Sequence, residues 1–222
     1  MSMVLAFDVY GTLVDTAGVA AQLARHLGEQ APAVAELWRG KQLEYSFRRG
    51  LMRNYRSFAT CTRQALDYCC EALQLPLQEN DKQALMEAYA RLPAFAEVPQ
   101  ALVRLRESEH RLYAFSNGTE TAVRKLLQAA GIADHFEAVV SVDPVRSFKP
   151  DPAVYAHFLR CADARASDTW LVSGNPFDIL GARSAGLQAA WIKRRQQPFD
   201  PWELSPSLEV PDLAALADHF CP

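Results

Sequence analysis

The sequence predicts an α/β fold: a Rossmann-like parallel-sheet core carrying an inserted, mostly helical subdomain. Three observations predict it. Short apolar runs recur along the chain, amphipathic helical stripes lie between most of them, and one interval between runs is about a hundred residues long. Strand–helix alternation of this kind requires right-handed crossovers and covers both faces of a parallel sheet with helices.

The strand candidates are residues 4–9, 112–116, 138–142, 169–173 and 189–193. Each is short, apolar or β-branched, and followed by polar, glycine or proline punctuation. Between two of them, Val123, Leu126, Leu127 and Ala130 recur at i, i+3, i+4 and i+7, and Gly131 stops that helix. The long interval is not structureless. Val34, Leu37 and Trp38 form one helical face, and Ala65, Leu66, Cys69, Cys70 and Leu73 form another. Residues 15–95 are therefore read as the inserted helical subdomain, with Pro93 and Pro99 in its exit linker, and residues 1–14 and 96–222 as the core. The proline-rich tail after Gln196 is expected to wrap the surface before a last short helix.

Composition narrows the function. The chain has 222 residues, half of them hydrophobic, and a net charge of −3, so no basic stripe is available for nucleic acid. Lys193-Arg194-Arg195 is read as a solvated turn. No apolar run approaches the roughly 20 residues of a membrane helix, and no leader pattern opens the sequence. Five cysteines without a C-x-x-C spacing are read as reduced thiols, mostly buried, in a cytoplasmic protein. No histidine pair has metal-ligand spacing, so no zinc site is expected; no cofactor is expected either, and the five histidines are assigned to surface or packing.

In an open parallel sheet, ligands bind beyond the C-terminal ends of the strands. Asp8, Tyr10 and Thr12 follow the first strand, with Gly11 giving the chain freedom to turn; Ser116, Asn117 and Gly118 follow the second. Lys149 lies in the loop after the third, stiffened by Pro150 and Pro152, and Ser173, Gly174, Asn175 and Asp178 follow the fourth. A carboxylate ending a buried strand can act as a nucleophile, and a lysine beside it would keep it charged. Taken alone, Asp8 reads sooner as a turn cap than as a nucleophile, and Lys149 as a surface lysine; the convergence of four polar loops favours a site.

The motifs D-x-x-G-T, S-N-G, K-P-D-P and S-G-N-x-x-D, in that order along nearly the whole chain, resemble the haloacid dehalogenase superfamily, in which an inserted cap closes over such an edge. Phosphatases of that superfamily use a second Asp two residues after the nucleophile as general acid and bind Mg²⁺ through acids of the fourth loop. Here those places hold Tyr10, with an ordinary pKa near 10, and Ser173-Gly174-Asn175, which offers few of the charged oxygens that Mg²⁺ prefers. The stretches "FDVYGTL", "LWRGKQLEYSF", "AFSNGT" and "FKPDPAVY" instead resemble the metal-free L-2-haloacid dehalogenase branch.

That resemblance implies hydrolysis of a short 2-haloacid through an aspartyl ester on Asp8, with inversion at C2. It implies that Arg39 and Asn117 cradle the leaving halide, that Tyr10, Leu43, Phe58 and Phe177 line a dry pocket, and that Lys149, Thr12 and Ser116 hold Asp8. Asp178, with Lys149, Ser173 and Asn175, would orient the hydrolytic water, and Tyr155 would orient Lys149 or Asp178. Backbone N–H groups around Ser116 and Asn117 would take the substrate carboxylate. The resemblance further implies a homodimer, for which Leu66 and Leu73 are candidate contacts. Gly40, where the branch carries a larger polar residue, is expected to widen or alter the pocket. A Mg²⁺-dependent phosphatase, and a hydrolase of the same branch acting on a C–F or strained C–N bond, are the alternative expectations.

Overall fold

A computed structural model describes residues 3–221. A six-stranded parallel sheet is ordered β3 (Ala138–Ser141), β2 (Arg111–Ser116), β1 (Val4–Phe7), β4 (Thr169–Ser173), β5 (Gln188–Ile192), β6 (Leu208–Val210). Its first strand β1 (Val4–Phe7) lies inside the sheet, and all four of its residues are buried. Leu5 and Phe7 join one apolar cluster and Val4 and Ala6 another, so alternate side chains feed the two helical layers that sandwich the sheet.

Four helices follow before the chain crosses back at Ala94: α1 (Ala17–Leu27), α2 (Ala31–Leu51), α3 (Phe58–Ala72) and α4 (Glu79–Tyr89). Helix α2 lies along α3, and the Trp38 indole N–H donates to the Thr62 carbonyl at 2.8 Å. Entry to and exit from this helical segment run side by side. The Asp15 amide donates to the Pro93 carbonyl and the Phe95 amide to the Leu13 carbonyl, so a single antiparallel bridge, Val14 with Ala94, ties the two crossings together.

Strand and helix then alternate as the sequence predicts through α5 (Val98–Glu107), β2 (Arg111–Ser116), α6 (Glu120–Ala129), β3 (Ala138–Ser141), α7 (Pro152–Ala162), β4 (Thr169–Ser173), α8 (Pro176–Ser184) and β5 (Gln188–Ile192), before β6 (Leu208–Val210) and α9 (Leu213–Phe220). Helix starts follow local chemistry. Asp151 caps α7 through its carboxylate and the Ala153 amide, with Pro152 at the first turn. Strand β6 was not expected from sequence. Its three residues sit between Pro206 and Pro211 and are too few to carry a period; pairing with β5 alone makes them a strand.

Several expectations need correction. Leu66 is fully buried, so it cannot serve an intermolecular face, whereas Leu73 is exposed. Of the five free cysteines only Cys61 and Cys69 are buried, and Cys161 is exposed. Lys193-Arg194-Arg195 is not a plain solvated turn. The Arg194 guanidinium stacks on Phe95, pairs with Glu97 at 2.7 Å and donates to the Thr12 carbonyl at 2.8 Å. Gly40 is exposed on α2, and a Cβ there would meet nothing within 4 Å, so a larger residue would point to solvent and not into a pocket. No helix among the described residues is long and apolar enough to cross a membrane.

Since Gly40 sits mid-helix with open space around it, Gly40→Ala should raise the unfolding free energy by about 0.5–1 kcal/mol without changing the site. Urea unfolding midpoints would read this out, and an unchanged or lower midpoint would contradict it.

Candidate active site

Because all strands run in parallel, the loops after β1, β2, β3 and β4 meet at one sheet edge. Asp8 is 7% exposed and directly continues β1, its amide donating to the Val172 carbonyl of β4 at 2.9 Å. The strand hydrogen bond fixes where the carboxylate points. Gly11, with φ of +78°, then turns the chain back so that Thr12 Oγ1 donates to Asp8 Oδ2 at 2.9 Å.

Lys149 is 1% exposed and reaches this point from the loop after β3. Its backbone amide is anchored by Asn117 Oδ1 at 2.9 Å. The ammonium has three protons and three acceptors: Asp8 Oδ1 at 3.2 Å, Asp178 Oδ2 at 2.8 Å and the Phe115 carbonyl at 2.9 Å. It also lies 4.2 Å from the centre of the Phe115 ring. The cation therefore bridges two buried carboxylates.

Asp178 is fully buried in the first turn of α8. Burial raises its carboxyl above the ordinary range, Lys149 opposes the rise, and the charge of Asp8 adds to it. Its second oxygen, Oδ1, accepts from Tyr155 Oη at 2.7 Å. Tyr155 is itself buried and its phenol is pushed well above 10 by desolvation and by Asp178, so it stays protonated and able to donate. The approach of α7 to α8 depends on Gly181, where a Cβ would strike Tyr155 Oη and lie 2.6 Å from Pro150 Cβ.

Asn175 links this cluster to the helical segment. Its Nδ2 donates to Asp8 Oδ2 at 2.8 Å and to the Tyr10 carbonyl at 3.1 Å, while its Oδ1 accepts from Arg39 Nη2 of α2 at 3.3 Å. Arg39 is thus one amide away from Asp8. Ser173 Oγ accepts from the Asn175 amide at 3.1 Å and shapes that turn. Ser116 does not hold Asp8 as expected: its Oγ accepts from the Gly118 amide at 3.1 Å and braces its own loop. That hydroxyl sits inside the β2 turn, and Asn175 takes the place at Asp8 that was expected of it.

Tyr10 stands between two cavities. On one side, about 330 Å³ of mostly apolar space is bounded by Phe58, Met86, Tyr89 and Gly118. On the other, about 500 Å³ is bounded by Arg39, Leu43, Asn175, Phe177, Arg194 and Arg195. Desolvation pushes the Tyr10 phenol up to about 12, which removes it as an acid near neutral pH. Gln42, which no motif reading singled out, lies buried beside Arg39, with Nη1 of Arg39 donating to Gln42 Oε1 at 2.6 Å. A signal existed: the stripe Val34, Trp38, Gln42, Ser46 steps by four residues, and a glutamine inside a buried stripe demands a polar partner.

Comparison with known proteins places the chain in a family. A family model described as a haloacid dehalogenase-like hydrolase matches residues 3–186. The chain is 36% identical over 216 residues to an (S)-2-haloacid dehalogenase of Pseudomonas sp. (strain YL), covering 97% of this chain and 93% of that one. It is 35% identical to haloacetate dehalogenase H-2 of Moraxella sp. (strain B), covering 96% and 95%. An L-2-haloacid dehalogenase from Xanthobacter autotrophicus, with chloropropionic acid covalently bound, superposes with a TM-score of 0.91 at 31% identity and 98% coverage of both chains.

Two outcomes test the geometry. Replacing the bridging cation by Lys149→Met leaves two buried carboxylates facing each other, a loss of about 3–5 kcal/mol. The raised carboxyl of Asp178 then rises further; stability is retained at low pH and lost as pH climbs through the folded value. The melting temperature should fall well below wild type at pH 8, with the gap narrowing toward pH 5. A gap independent of pH would contradict the bridge. Gly181→Ala should separate Tyr155 from Asp178 and lower stability by about 1–3 kcal/mol, read by urea unfolding.

Proposed function

Because the chain belongs to the haloacid dehalogenase-like hydrolases, we propose that it is an (S)-2-haloacid dehalogenase. It converts short 2-haloalkanoic acids to (R)-2-hydroxy acids and halide. The observation that carries this reading is the buried Asp8 carboxylate, bonded to Lys149, Thr12 and Asn175, with Arg39 one side chain away. A relative that superposes closely holds chloropropionic acid covalently.

An Asp8 oxygen attacks C2 opposite the halogen. The new O–C2 bond forms as the C2–halogen bond breaks, and its electron pair leaves with the halide. Configuration inverts in this single displacement. Arg39 and Asn117 stabilise the departing anion, and Tyr10, Leu43, Phe58 and Phe177 keep water from it, so each favourable charge contact counts for more than it would in bulk solvent. Backbone N–H groups around Ser116 and Asn117 hold the substrate carboxylate. Water then adds to Cγ of Asp8, oriented by Asp178 with Lys149, Ser173 and Asn175. The ester C–O bond at Cγ breaks, the hydroxy acid leaves with an oxygen from Asp8, and one proton is released to solvent.

The donor set supports a reaction without a divalent ion. Asp8 Oδ1 and Asp178 Oδ2 share one ammonium, and Asp8 Oδ2 and the Tyr10 carbonyl share one amide. The oxygens that a hard cation would need are already bonded to protons.

Residues 15–95 act in this reading as a cap that brings Arg39 and Phe58 over the core formed by residues 1–14 and 96–222. The chain works as a cytoplasmic homodimer. Five free thiols, one of them exposed, suit a reducing compartment, and exposed Leu51, Met52, Tyr68 and Leu73 offer apolar contact area on the cap.

Single turnover in ¹⁸O water with excess enzyme and (S)-2-chloropropionate should place label in Asp8 and leave the product unlabelled; label entering the product directly would exclude the ester. Chloride release should persist in EDTA, and Asp8→Asn should abolish it. Chelator-sensitive release of phosphate from small esters would instead identify a phosphatase.

A further inference from the structure

The buried stripe of α2 is apolar through Ala31, Val34 and Trp38 and becomes polar at Gln42 and Ser46. Gln42 is fully buried, so both ends of its amide need partners. The sense of that amide is dictated by its neighbours. A guanidinium can only donate, so the end facing Arg39 Nη1, at 2.6 Å, must be the carbonyl Oε1. Nε2 then faces Thr62 Oγ1 at 2.5 Å and needs an acceptor there. The single hydroxyl hydrogen of Thr62 is directed to the Phe58 carbonyl at 2.8 Å, which leaves its oxygen free to accept. Trp38 Nε1, bonded to the Thr62 carbonyl, locks the same turn of α3 against α2. The relay runs one way: Arg39 to Gln42 to Thr62 to the backbone of Phe58.

We propose that Gln42 is a positioning residue for Arg39, holding one arm of the guanidinium so that the other, Nη2, faces the leaving group beside Asp8. The partner is neutral, and this decides what Arg39 can do. Arg194, in the same cavity wall, is paired with the carboxylate of Glu97, and its charge is largely answered. Arg39 is gripped by a carbonyl and by the Asn175 amide oxygen, so its full positive charge stays available to an anion. A carboxylate at position 42 would hold Arg39 just as firmly and remove that charge. The relay also ends on Phe58, so one chain of bonds sets both the cationic and the apolar side of the pocket. This inference rests on the reading of Arg39 as the halide cradle.

The test compares four variants with wild type: Gln42→Met, Gln42→Glu, Thr62→Val and Thr62→Ser. The readouts are near-ultraviolet circular dichroism, kcat and KM on (S)-2-chloropropionate, the bromide inhibition constant, and the excess chloride-35 line width of the free protein. A bond to a charged group supports an expected fall of about 10- to 100-fold in kcat for Gln42→Met. KM should change less, because the anion develops in the transition state. Gln42→Glu should fold, since the Thr62 hydroxyl can turn from the Phe58 carbonyl to donate to the new carboxylate, and it should bind halide more weakly and show a reduced line width. Thr62→Val should resemble Gln42→Met in milder form, and Thr62→Ser should recover most of what Thr62→Val loses. Should Gln42→Met fail to fold, Gln42→Glu and Thr62→Val decide. Folded variants with wild-type kcat, bromide inhibition and line width would overturn the proposal. A wild type that releases no halide, yet whose line width still falls in Gln42→Glu, would sink the functional reading and leave the positioning intact.

Discussion

One buried ammonium between two carboxylates organises this protein. Lys149 has essentially no solvent, and removing a cation from water costs several kcal/mol unless it is returned through geometry. The return here is complete: three protons meet three acceptors, two of them charged. Yet one cation cannot answer two anions, so the remaining lone pairs of Asp8 and Asp178 need neutral donors. Thr12 and Asn175 supply them to Asp8, and Tyr155 supplies one to Asp178. The architecture around the site follows from that demand. The carboxylate that ends β1, the acid in the first turn of α8 and the lysine beyond β3 can meet only if the strands are parallel and their C-terminal ends share an edge.

The same demand fixes the details of the neighbouring loops. Lys149 must arrive at a set height above the sheet, and Asn117 holds its backbone there. Tyr155 must approach Asp178 closely, and only a glycine at position 181 leaves room. Even Gly181, with no part in the proposed chemistry, is constrained because it frames the charge cluster.

The helical segment completes the environment from above. It is joined to the core by two adjacent crossings that bridge at Val14 and Ala94, so α2 and α3 are held over the sheet edge as a unit. Arg39 comes from one of these helices and Phe58 from the other, and Tyr10 divides the space beneath them into an apolar side and a cationic side. That division suits a substrate with an alkyl end and two groups that are, or become, anions.

Much of this was legible in the amino acids alone. The short apolar run of β1, the helical stripes of α2, α3 and α6, and the polar residues at four strand ends pointed to a parallel α/β sheet and named Asp8, Lys149, Asn175 and Asp178. These signals are local, since each strand end is read within a few residues. Pairings across distance were not legible. Sequence offered Ser116 as a partner of Asp8, but the hydroxyl turns into its own loop and Asn175 takes the place. It treated Gly40 as part of the pocket, although the helix points that position to solvent. It treated Arg194 as a solvated residue, and missed Gln42, Gly181 and the strand β6. A side chain's composition is known from its letter, but which of two possible partners it bonds depends on the orientation of its element, and only packing sets that orientation.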